Sequence, residues 1–509
     1  MPYRLSKSKL QEFRQCPRRL WLSVYQSELA VYDEKTKLIL DRGTDFGKAA
    51  RACFPNGKLV ESDGPEDAVR KTYEILDEFD KNDVRLPLFE AAFGFDDVVA
   101  YADVLVPLDH GQWQLVEIKS SAYRVGDSLK KHYVTDVATQ ACILRQTGLP
   151  VSVVSLGLAN GQFRRGEVDA FDQILTLVDV TDLSLSFDIK ETVRAAQNIL
   201  DSAKEPEQRV GRHCKEPNRC PFIRHCSGAY PRAGEQMSVP VWHLSSDPTS
   251  KIVSDLMKDG YRNLASVPED RLTKRMHRIM RSIAQGALPY VDDRLQAYLA
   301  SVSFPRYFLD FETNNSPLPL WRGTRPGEVI PFQFSVHKWV NDQGHVEHHS
   351  FLAETIEDPR PELARKLVEV FEEPGPVFTW NGKKTEGPIT ERLAELSPSN
   401  GEILRRVAQS CKTNDLYPKF REYFYHPAMA GSWSLKSIAA ALFPSSNYAS
   451  LGIKNGVEAM RRYQDFITMR EGQERDALRS MLLEYCNSDT NTLIEVWQKI
   501  LLMKEREQP

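Results

Sequence analysis

The 509-residue sequence predicts a mixed α/β protein with two or three domains. A chain of this length exceeds one ordinary hydrophobic core. Two apolar, strand-like segments flank a short turn near residue 110, and a third begins near residue 306. A long segment with helical spacing of its apolar residues follows near the C-terminus. Strand and helix signals on one chain predict sheets covered by helices.

Composition restricts the class of protein. The net charge of -4 excludes a wholly basic surface wrapped around nucleic acid, although it permits a local basic groove. No apolar run reaches membrane-spanning length, and Met-Pro-Tyr-Arg does not begin a secretory signal, so we expect a cytoplasmic protein without membrane contact. Eight cysteines are too few for a disulfide scaffold in a chain this long, and a reducing compartment favours thiolate ligands.

Breaks in the pattern suggest the domain boundaries. The segment Ser227-Gly-Ala-Tyr-Pro-Arg-Ala-Gly interrupts any regular spacing, so we predict a first domain over residues 1–230. A helical connector is predicted over 231–300 and a second domain over 301–503. The charged tail 504–509 is expected to fray.

The connector contains one basic amphipathic helix. Leu272, Met276, Ile279 and Ile283 recur at helical spacing. The other faces of that helix carry five basic residues, which are Arg271, Lys274, Arg275, Arg278 and Arg281. Two interpretations remain open, a solvated helix face or a strip that contacts phosphates.

An acidic hairpin is predicted in the first domain. Residues 99–106 and 113–119 alternate as strands, and the intervening loop ends in Gly111, which suits a left-handed turn position. Closing this loop places Asp103 opposite Glu117 on the neighbouring strand. The two carboxylates are therefore expected to lie side by side.

The hairpin has the residue types of a hydrolytic metal site. Lys119 lies two residues after Glu117 and so faces the same side of the strand. Two carboxylates held together favour a divalent cation, and we predict Mg2+ or Mn2+ bound by Asp103, Glu117 and the carbonyl of Ile118. Lys119 would position a water or stabilise developing charge, which is the chemistry of phosphodiester hydrolysis. The alternative is a surface hairpin with ordinary charged residues.

Four cysteines predict a cage that joins both ends of the first domain. Cys214, Cys220 and Cys226 form a C-x5-C-x5-C pattern. Three thiols cannot complete a four-ligand site, so the distant Cys16 is expected to supply the fourth. The remaining cysteines lack such spacing and are predicted to be small core residues.

The residues 5–21, Leu-Ser-Lys-Ser-Lys-Leu-Gln-Glu-Phe-Arg-Gln-Cys-Pro-Arg-Arg-Leu-Trp, precede the acidic hairpin and the three late cysteines. This order resembles the RecB-like and CRISPR-associated exonucleases of the PD-(D/E)XK class, which have a restriction-endonuclease-like fold. The resemblance implies a structural [4Fe-4S] cluster on Cys16, Cys214, Cys220 and Cys226. Zinc would use the same thiols and remains the alternative.

Two features depart from that class. Such nucleases carry a metal-binding histidine before the first catalytic aspartate, but here no histidine precedes His110. Glu90, on a preceding strand-like segment, is the predicted substitute ligand. Gln140 matches the glutamine of the following helix and is assigned to the catalytic site, whereas Leu144 replaces the usual aromatic residue and Tyr133 lies upstream.

A second acidic site is predicted near the C-terminus. Asp310 and Glu312 alternate along one strand and face the same way, and Tyr485 and Asp489 lie four apart on one helical face. This pattern resembles the DEDD exonucleases, which have a ribonuclease-H-like fold, particularly polymerase proofreading domains. The resemblance implies that Asp310, Glu312 and Asp489 bind two metal ions and that Tyr485 orients the attacking water.

The middle motif of this second site differs from the family pattern. An acidic residue is expected four positions after Asn381, but Thr385 occupies that position and Glu386 follows it. Either a one-residue bulge brings Glu386 into the site, or the site has lost a ligand.

The whole chain resembles an uncharacterised bacterial family that joins an iron-sulfur nuclease half to a DEDD-like half. Residues 331–337 and 424–436 carry that likeness. The resemblance implies a metal-dependent nuclease acting on DNA, on single strands or ends. RNA is the alternative substrate. A nucleic-acid-binding adaptor with one or both sites degenerate is the alternative class.

Overall fold

The chain is a mixed α/β protein, as predicted, and falls into two compact units. The first unit comprises residues 1–226 and 316–328, and the second comprises 227–315 and 329–509. A computed structural model describes residues 3–167, 170–185, 187–227, 238–285, 288–444 and 452–503.

The first unit is built on a mixed seven-stranded sheet. Its helices are α1 (Lys7–Gln15), α2 (Pro17–Tyr25), α3 (Glu34–Ala50), α4 (Pro65–Asn82), α5 (Lys131–Gln146), α6 (Thr181–Leu185), α7 (Lys190–Asp201) and α8 (Ile223–Ser227). Its strands are β1 (Leu5–Ser6), β2 (Lys58–Leu59), β3 (Leu88–Phe95), β4 (Val98–Pro107), β5 (Trp113–Tyr123), β6 (Val151–Asn160) and β7 (Leu175–Asp179). The strand order is β2-β3-β4-β5-β6-β7, and β1 pairs with β4.

The acidic hairpin forms with the predicted register. β4 and β5 are antiparallel, and Val104 pairs with Val116, so the next position along places Asp103 against Glu117. Gly111 adopts the expected left-handed conformation with φ of 72°, and His110 before it has φ of 55°. Both strands extend a few residues beyond the predicted limits, because β5 continues its parallel pairing with β6.

Two helices hold the N-terminal segment against this sheet. The hydroxyl of Ser6 accepts a hydrogen bond from Lys9 N (3.2 Å) and begins α1. Cys16 ends α1, and Pro17 begins α2, where a missing N–H costs nothing. Leu10 and Leu20 are fully buried in the main core of the unit, which places Cys16 close to the sheet.

The second unit contains a four-stranded sheet covered by helices. Its helices are α9 (Lys251–Lys258), α10 (Lys274–Ala284), α11 (Asp293–Ser301), α12 (Arg360–Val370), α13 (Glu386–Leu396), α14 (Gly401–Thr413), α15 (Leu416–Tyr423), α16 (Leu435–Leu442), α17 (Gly456–Thr468) and α18 (Gln473–Leu502). Its strands are β8 (Tyr290–Val291), β9 (Arg306–Asn314), β10 (Ile330–Trp339), β11 (Val346–Leu352), β12 (Val377–Phe378) and β13 (Phe424–Tyr425). The sheet order is β11-β10-β9-β12, and β8 pairs with β13 separately.

The domain limits differ from the predicted ones. Met276 and Ile279 of α10 belong to the same core as Phe308 and Trp497, so the predicted connector is an integral part of the second unit. The apolar face of α10 is buried because leaving that face exposed to water would cost hydrophobic free energy. The segment 316–328 lies in the first unit, where Arg165 N donates to the carbonyl of Thr324 (3.1 Å).

The remaining predictions concern one strand, one helix, the tail and the membrane. The predicted strand at 306–313 is β9, and the predicted C-terminal helix is α18. The tail 504–509 and most of the predicted first boundary lie outside the described residues. No helix in the described parts of the chain combines the length and the apolar character needed to cross a membrane.

Candidate functional site

Three acidic side chains converge in the second unit. Ligand oxygens of Asp310, Glu312 and Asp489 all lie within 4.8 Å of one another. Asp310 and Glu312 share a face of β9 because side chains alternate along a strand, and α18 packs across that face to supply Asp489. The structure therefore brings together the three residues predicted as metal ligands of this site.

Mutual repulsion and burial dominate the electrostatics of this cluster. Burial and the neighbouring charges of Asp489, Glu312 and Glu386 raise the pKa of Asp310 well above its ordinary value. Burial and the charge of Asp489 raise the pKa of Glu312 to about 8. The ammonium of Lys436 opposes both shifts. Carboxylates in this condition favour either a shared proton or a bound cation.

Glu386 lies near the same cluster. It is the first residue of α13 and is only 4% exposed, and its carboxylate accepts a hydrogen bond from the Thr385 hydroxyl (2.5 Å). Burial raises the pKa of Glu386 to about 7. In the turn between β12 and α13, Asn381 is left-handed with φ of 74°. The displaced Glu386 thus remains within electrostatic range of Asp310.

Tyr485 is positioned by a lysine to which sequence reasoning gave no catalytic role. Lys436 Nζ donates a hydrogen bond to the Tyr485 hydroxyl oxygen (2.7 Å) and another to the carbonyl of Lys454 (3.0 Å). Lys436 lies in the first turn of α16, which the Ser434 side chain caps through Ser437 N (3.1 Å). The signal was present in the sequence as Ser434-Leu-Lys436, a cap followed by a cation on a defined turn.

A cavity of about 210 Å³ opens beside the cluster. It has acidic and basic groups on one part of its wall and apolar groups on the other. Its lining residues are Asp310, Trp380, Ser434, Leu435, Lys436, Asp489 and Leu493. An aromatic and aliphatic wall next to clustered carboxylates is a lining that can hold a nucleobase or sugar beside a phosphate.

The first unit contains a buried network of alternating charges around Glu117. Lys7 Nζ and Lys119 Nζ both donate to Glu117 Oε1 at 2.7 Å. Lys119 Nζ also donates to Asp136 Oδ2 (2.6 Å), while Lys7 Nζ lies 3.6 Å from Asp136 Oδ1. Glu117 and Lys119 lie together as predicted, and Lys7 and Asp136 belong to the same network.

Asp103 and Glu117 differ in their proton affinity. Burial and the Glu117 charge raise the pKa of Asp103 to about 7, although Ile118 N donates to Asp103 Oδ2 (2.7 Å). Burial disfavours the charged form of Glu117 as well. The positive charges of Lys7 and Lys119 outweigh this effect and hold the pKa of Glu117 well below its ordinary value. Within the described residues, the buried Glu117 Oε2 has no hydrogen-bond partner. One carboxylate oxygen at this site is therefore available to a cation.

Sequence reasoning missed Lys7 and Asp136. Both are brought to Glu117 by tertiary packing, from α1 and α5 respectively. Asp136 lies four residues before Gln140 and therefore on the same helical face, a spacing that could have identified it. Lys7 directly follows the capping Ser6, so its direction was fixed by the start of α1.

The other predicted residues of this site lie at its edges. The side-chain amide of Gln140 donates to the carbonyl of Tyr101 on β4, beside Asp103. Glu90 has φ of 57°, and its half-exposed carboxylate pairs with Arg51 (3.0 Å). Among the described residues, Glu90 does not form a group with Asp103 in which three ligand atoms lie within 4.8 Å of one another. The ligand roles of Glu90 and of the Ile118 carbonyl stay predictions.

The aromatic residue near this site is Tyr133. Its ring centroid lies 5.7 Å from Lys119 Nζ, and its hydroxyl is 2.7 Å from the Ser121 hydroxyl. Leu144 is fully buried in the core instead. Tyr133 lies about three helical turns before Leu144 on α5.

The four predicted cage cysteines lie within electrostatic range of one another. Burial raises the pKa of Cys220 to about 11 and that of Cys226 to about 12, with smaller contributions from Cys16 to each. Burial also raises the pKa of Cys214, again with a contribution from Cys16. Arg18 and Arg19 lie near enough to lower these values.

The spacing of these thiols bears on the kind of metal group. Tetrahedral zinc, with Zn–S bonds of about 2.3 Å, holds its sulfur atoms about 3.8 Å apart. Among the described residues, no three cysteine sulfur atoms lie within 4.8 Å of one another. The remaining cysteines are core residues as predicted at Cys142, Cys411 and Cys486, whereas Cys53 is half-buried.

Comparisons with known proteins are limited to one segment. Residues 307–434 match a protein family described as Domain of unknown function (DUF2779). The matched segment contains Asp310, Glu312 and Glu386 and stops before Lys436 and Asp489. It spans about a quarter of the chain. No curated protein matches the sequence.

Proposed function

We propose that the protein is a metal-dependent nuclease that hydrolyses phosphodiester bonds of DNA at single strands or ends, with one site in each unit. The convergence of Asp310, Glu312 and Asp489 within 4.8 Å carries this proposal. Carboxylates this close together repel one another, which raises the pKa values of Asp310 and Glu312 and favours a bound cation. Divalent metals on such carboxylates are a common solution for phosphodiester hydrolysis.

The second unit is proposed to have a ribonuclease-H-like fold with a DEDD site. Mg2+ or Mn2+ held by the three carboxylates would polarise the scissile phosphate and acidify a water when bound. The ammonium of Lys436 occupies a lone pair of the Tyr485 oxygen, so the Tyr485 proton must point elsewhere. We propose that Lys436 is a positioning residue, which fixes the orientation of the Tyr485 hydroxyl toward the cavity beside the carboxylates.

The first unit is proposed to be a PD-(D/E)XK-like nuclease. The unpartnered Glu117 Oε2 fits a divalent cation, and the cation would also offset the repulsion between Glu117 and Asp103 that raises the pKa of Asp103. Lys119 is held between Glu117 and Asp136, which fixes its ammonium where negative charge would develop on a phosphate. Lys7 shares Glu117 and so limits the movement of that carboxylate.

The four cysteines are proposed to hold a structural [4Fe-4S] cluster. The electrostatic influence of Cys16 on Cys214, Cys220 and Cys226 supports one shared site for the four thiols. Arg18 and Arg19 would offset the negative charge of the ligated group. Hydrolysis transfers no electrons, so the cluster would join Cys16 to the distant segment 214–226 without a redox role.

Loss of each proposed site should remove one activity. Lys119→Ala and Asp310→Ala are each expected to reduce Mn2+-dependent cleavage at one site by about 100-fold or more, because each removes charge at the reacting phosphate. The double variant should be inactive. Product lengths from labelled single-stranded DNA and matched RNA, resolved on denaturing gels, measure both activities.

Matched controls for this experiment are exposed residues of the same type. Lys131→Ala and Asp342→Ala should cleave like the wild type, since both side chains are exposed. Wild-type protein that is inactive on every oligonucleotide with Mn2+ would favour the adaptor alternative. Cleavage of RNA in preference to DNA would change the proposed substrate to RNA and leave the proposed hydrolytic chemistry unchanged.

Lys436→Gln is expected to lower kcat about 10- to 100-fold with little change in KM, because Lys436 acts on the orientation of Tyr485 and not on substrate affinity. Hydrolysis of the p-nitrophenyl ester of thymidine 5′-monophosphate measures this at the second site alone, in a Lys119→Ala background. Lys366→Gln on α12 is the control.

A double-mutant cycle separates positioning from direct catalysis. If Lys436 acts through Tyr485, the variant with both Lys436→Gln and Tyr485→Phe should be no slower than Tyr485→Phe alone. Additive losses would instead mean that Lys436 acts independently on the phosphate.

A further inference from the structure

Three arginines come together on two helices of the second unit. Arg275 and Arg278 lie one turn apart on α10, and Arg278 Nη2 donates to the carbonyl of Arg421 on α15 (3.4 Å). Burial, followed by the like charges of Arg421 and Arg278, lowers the pKa of Arg275. The guanidinium groups therefore repel one another at rest.

Few acids neutralise this basic cluster. In the ranges that the structure covers, Arg275, Arg278 and Arg421 form no ion pair with a carboxylate. Asp292 and Glu422 act on Arg278 only at longer range. Excess positive charge on a protein of net charge -4 attracts a polyanion to one place.

Aromatic rings hold the guanidinium groups in place. Arg275 Cζ lies 5.6 Å from the ring centroid of Trp433, and Arg278 Cζ lies 5.9 Å from that of Tyr290. Stacking of this kind restricts the arginine side chains without consuming their N–H donors. Apart from Arg278 Nη2, which donates to the Arg421 carbonyl, these contacts do not use the N–H donors that phosphate oxygens could accept from.

The basic cluster is continuous with the cavity of the acidic site. Trp433 directly precedes the cavity residue Ser434, and its carbonyl accepts a hydrogen bond from Trp380 Nε1 (3.2 Å). Trp380 lines the cavity and packs edge-on against Tyr417 with ring centroids 6.1 Å apart. Tyr417 lies one turn before Arg421 on α15. Trp380 and its partners Tyr417 and Trp433 thus connect the cavity to the arginines.

We propose that Arg275, Arg278 and Arg421 bind the phosphate backbone of a single-stranded DNA whose end occupies the cavity beside Asp310 and Asp489. This inference rests on the proposed function and adds to it the path of the substrate strand. A single strand fits better than a duplex because Trp380 can stack on an unpaired base while the arginines contact successive phosphates.

The test is binding of a fluorescein-labelled oligothymidylate, measured by anisotropy without divalent metal over a series of salt concentrations. The triple variant Arg275→Gln, Arg278→Gln, Arg421→Gln should bind about 10- to 100-fold more weakly. Its log–log salt slope should be shallower by about 2, since each phosphate contact on single strands contributes about 0.7. A control triple variant, Arg365→Gln, Arg392→Gln, Arg479→Gln, changes net charge equally at exposed arginines that are paired with glutamates.

A charge-retaining variant guards against misfolding. Arg275→Lys, Arg278→Lys, Arg421→Lys should keep the salt slope of the wild type. Unaltered oligonucleotide binding by the glutamine variant would overturn the inference, as would absence of binding by the wild type. Tighter binding of oligouridylate would overturn the assignment to DNA. The wild type could bind the oligonucleotide and cleave nothing, while the glutamine variant loses that binding. This result would support the basic cluster as a binding surface and refute the nuclease activity.

Discussion

Replacing Asp310 with Asn will raise the melting temperature of the metal-free protein and abolish its stabilisation by Mn2+. Asp310 repels Glu312, Asp489 and Glu386 in a buried site, so a neutral amide relieves that repulsion. Each kcal/mol of relief corresponds to about 2–4 °C for a domain of this size. At 100 times its Kd, Mn2+ should stabilise the wild type by about 2.7 kcal/mol, a gain that the variant loses. Differential scanning fluorimetry with and without Mn2+ measures both effects.

The pH dependence of the stability of the metal-free protein follows from the same charges. The folded-state pKa of Glu312 rises from 4.5 to about 8, so the protonated form is favoured in the folded state. The associated stability is fully present below about pH 4.5 and is lost as the pH rises through 8. Metal-free wild type should therefore melt at a higher temperature at pH 6 than at pH 8.5, and Mn2+ should reduce or reverse this difference.

Asp342→Asn is the matched control, since Asp342 is exposed in the turn between β10 and β11 and the same chemical change there should leave melting unaltered. A metal-free Asp310→Asn protein that melts below the wild type yet still gains stability from Mn2+ would refute a metal site at this position.

Cys220→Ala is expected to remove iron from the protein and expose the first unit to proteases. Cys220 lies in an apolar cluster with Trp21, Leu22 and Phe222, at the junction of the N-terminal helices and the late cysteine segment. A ligated group there closes a loop of roughly 200 residues, and opening such a loop releases several kcal/mol of chain entropy. Iron analysis, visible absorbance and mass spectrometry of partial digests measure the loss.

The half-buried Cys53 provides the control for this experiment, because it is a cysteine of the same unit outside the proposed cage. Cys53→Ala should retain iron and the protease-resistant N-terminal fragment. Purified protein with zinc and no iron would establish the alternative metal, and an unchanged N-terminal core in metal-free Cys220→Ala would contradict the proposed structural role.

Local periodicity accounts for what could be predicted from the sequence. A three-residue loop determined the register that sets Asp103 against Glu117, and strand alternation placed Asp310 and Glu312 on one face. Both features depend on neighbours within about fifteen residues. The spacing of four between Tyr485 and Asp489 is equally local.

Long-range packing accounts for what was missed. Lys7 reaches Glu117 across 110 positions of sequence, and no periodicity links α1 with β5. Glu386 was displaced by one residue in the sequence, yet a left-handed Asn381 redirected the turn and kept its charge near Asp310. The burial of the connector against α18 likewise depended on a partner two hundred residues away.

Residues 316–328 belong to the first unit but are translated after residues 227–315 of the second unit. This order affects the folding of the first unit during translation. The first unit lacks this segment until about a hundred residues after Cys226 have been translated, a delay of about 5 to 20 s at usual elongation rates. During that interval the nascent N-terminal half presents the Arg165 amide without its Thr324 acceptor. A gene fragment that ends at residue 226 would leave the same gap permanently, because it would lack every contact that residues 316–328 make with the first unit.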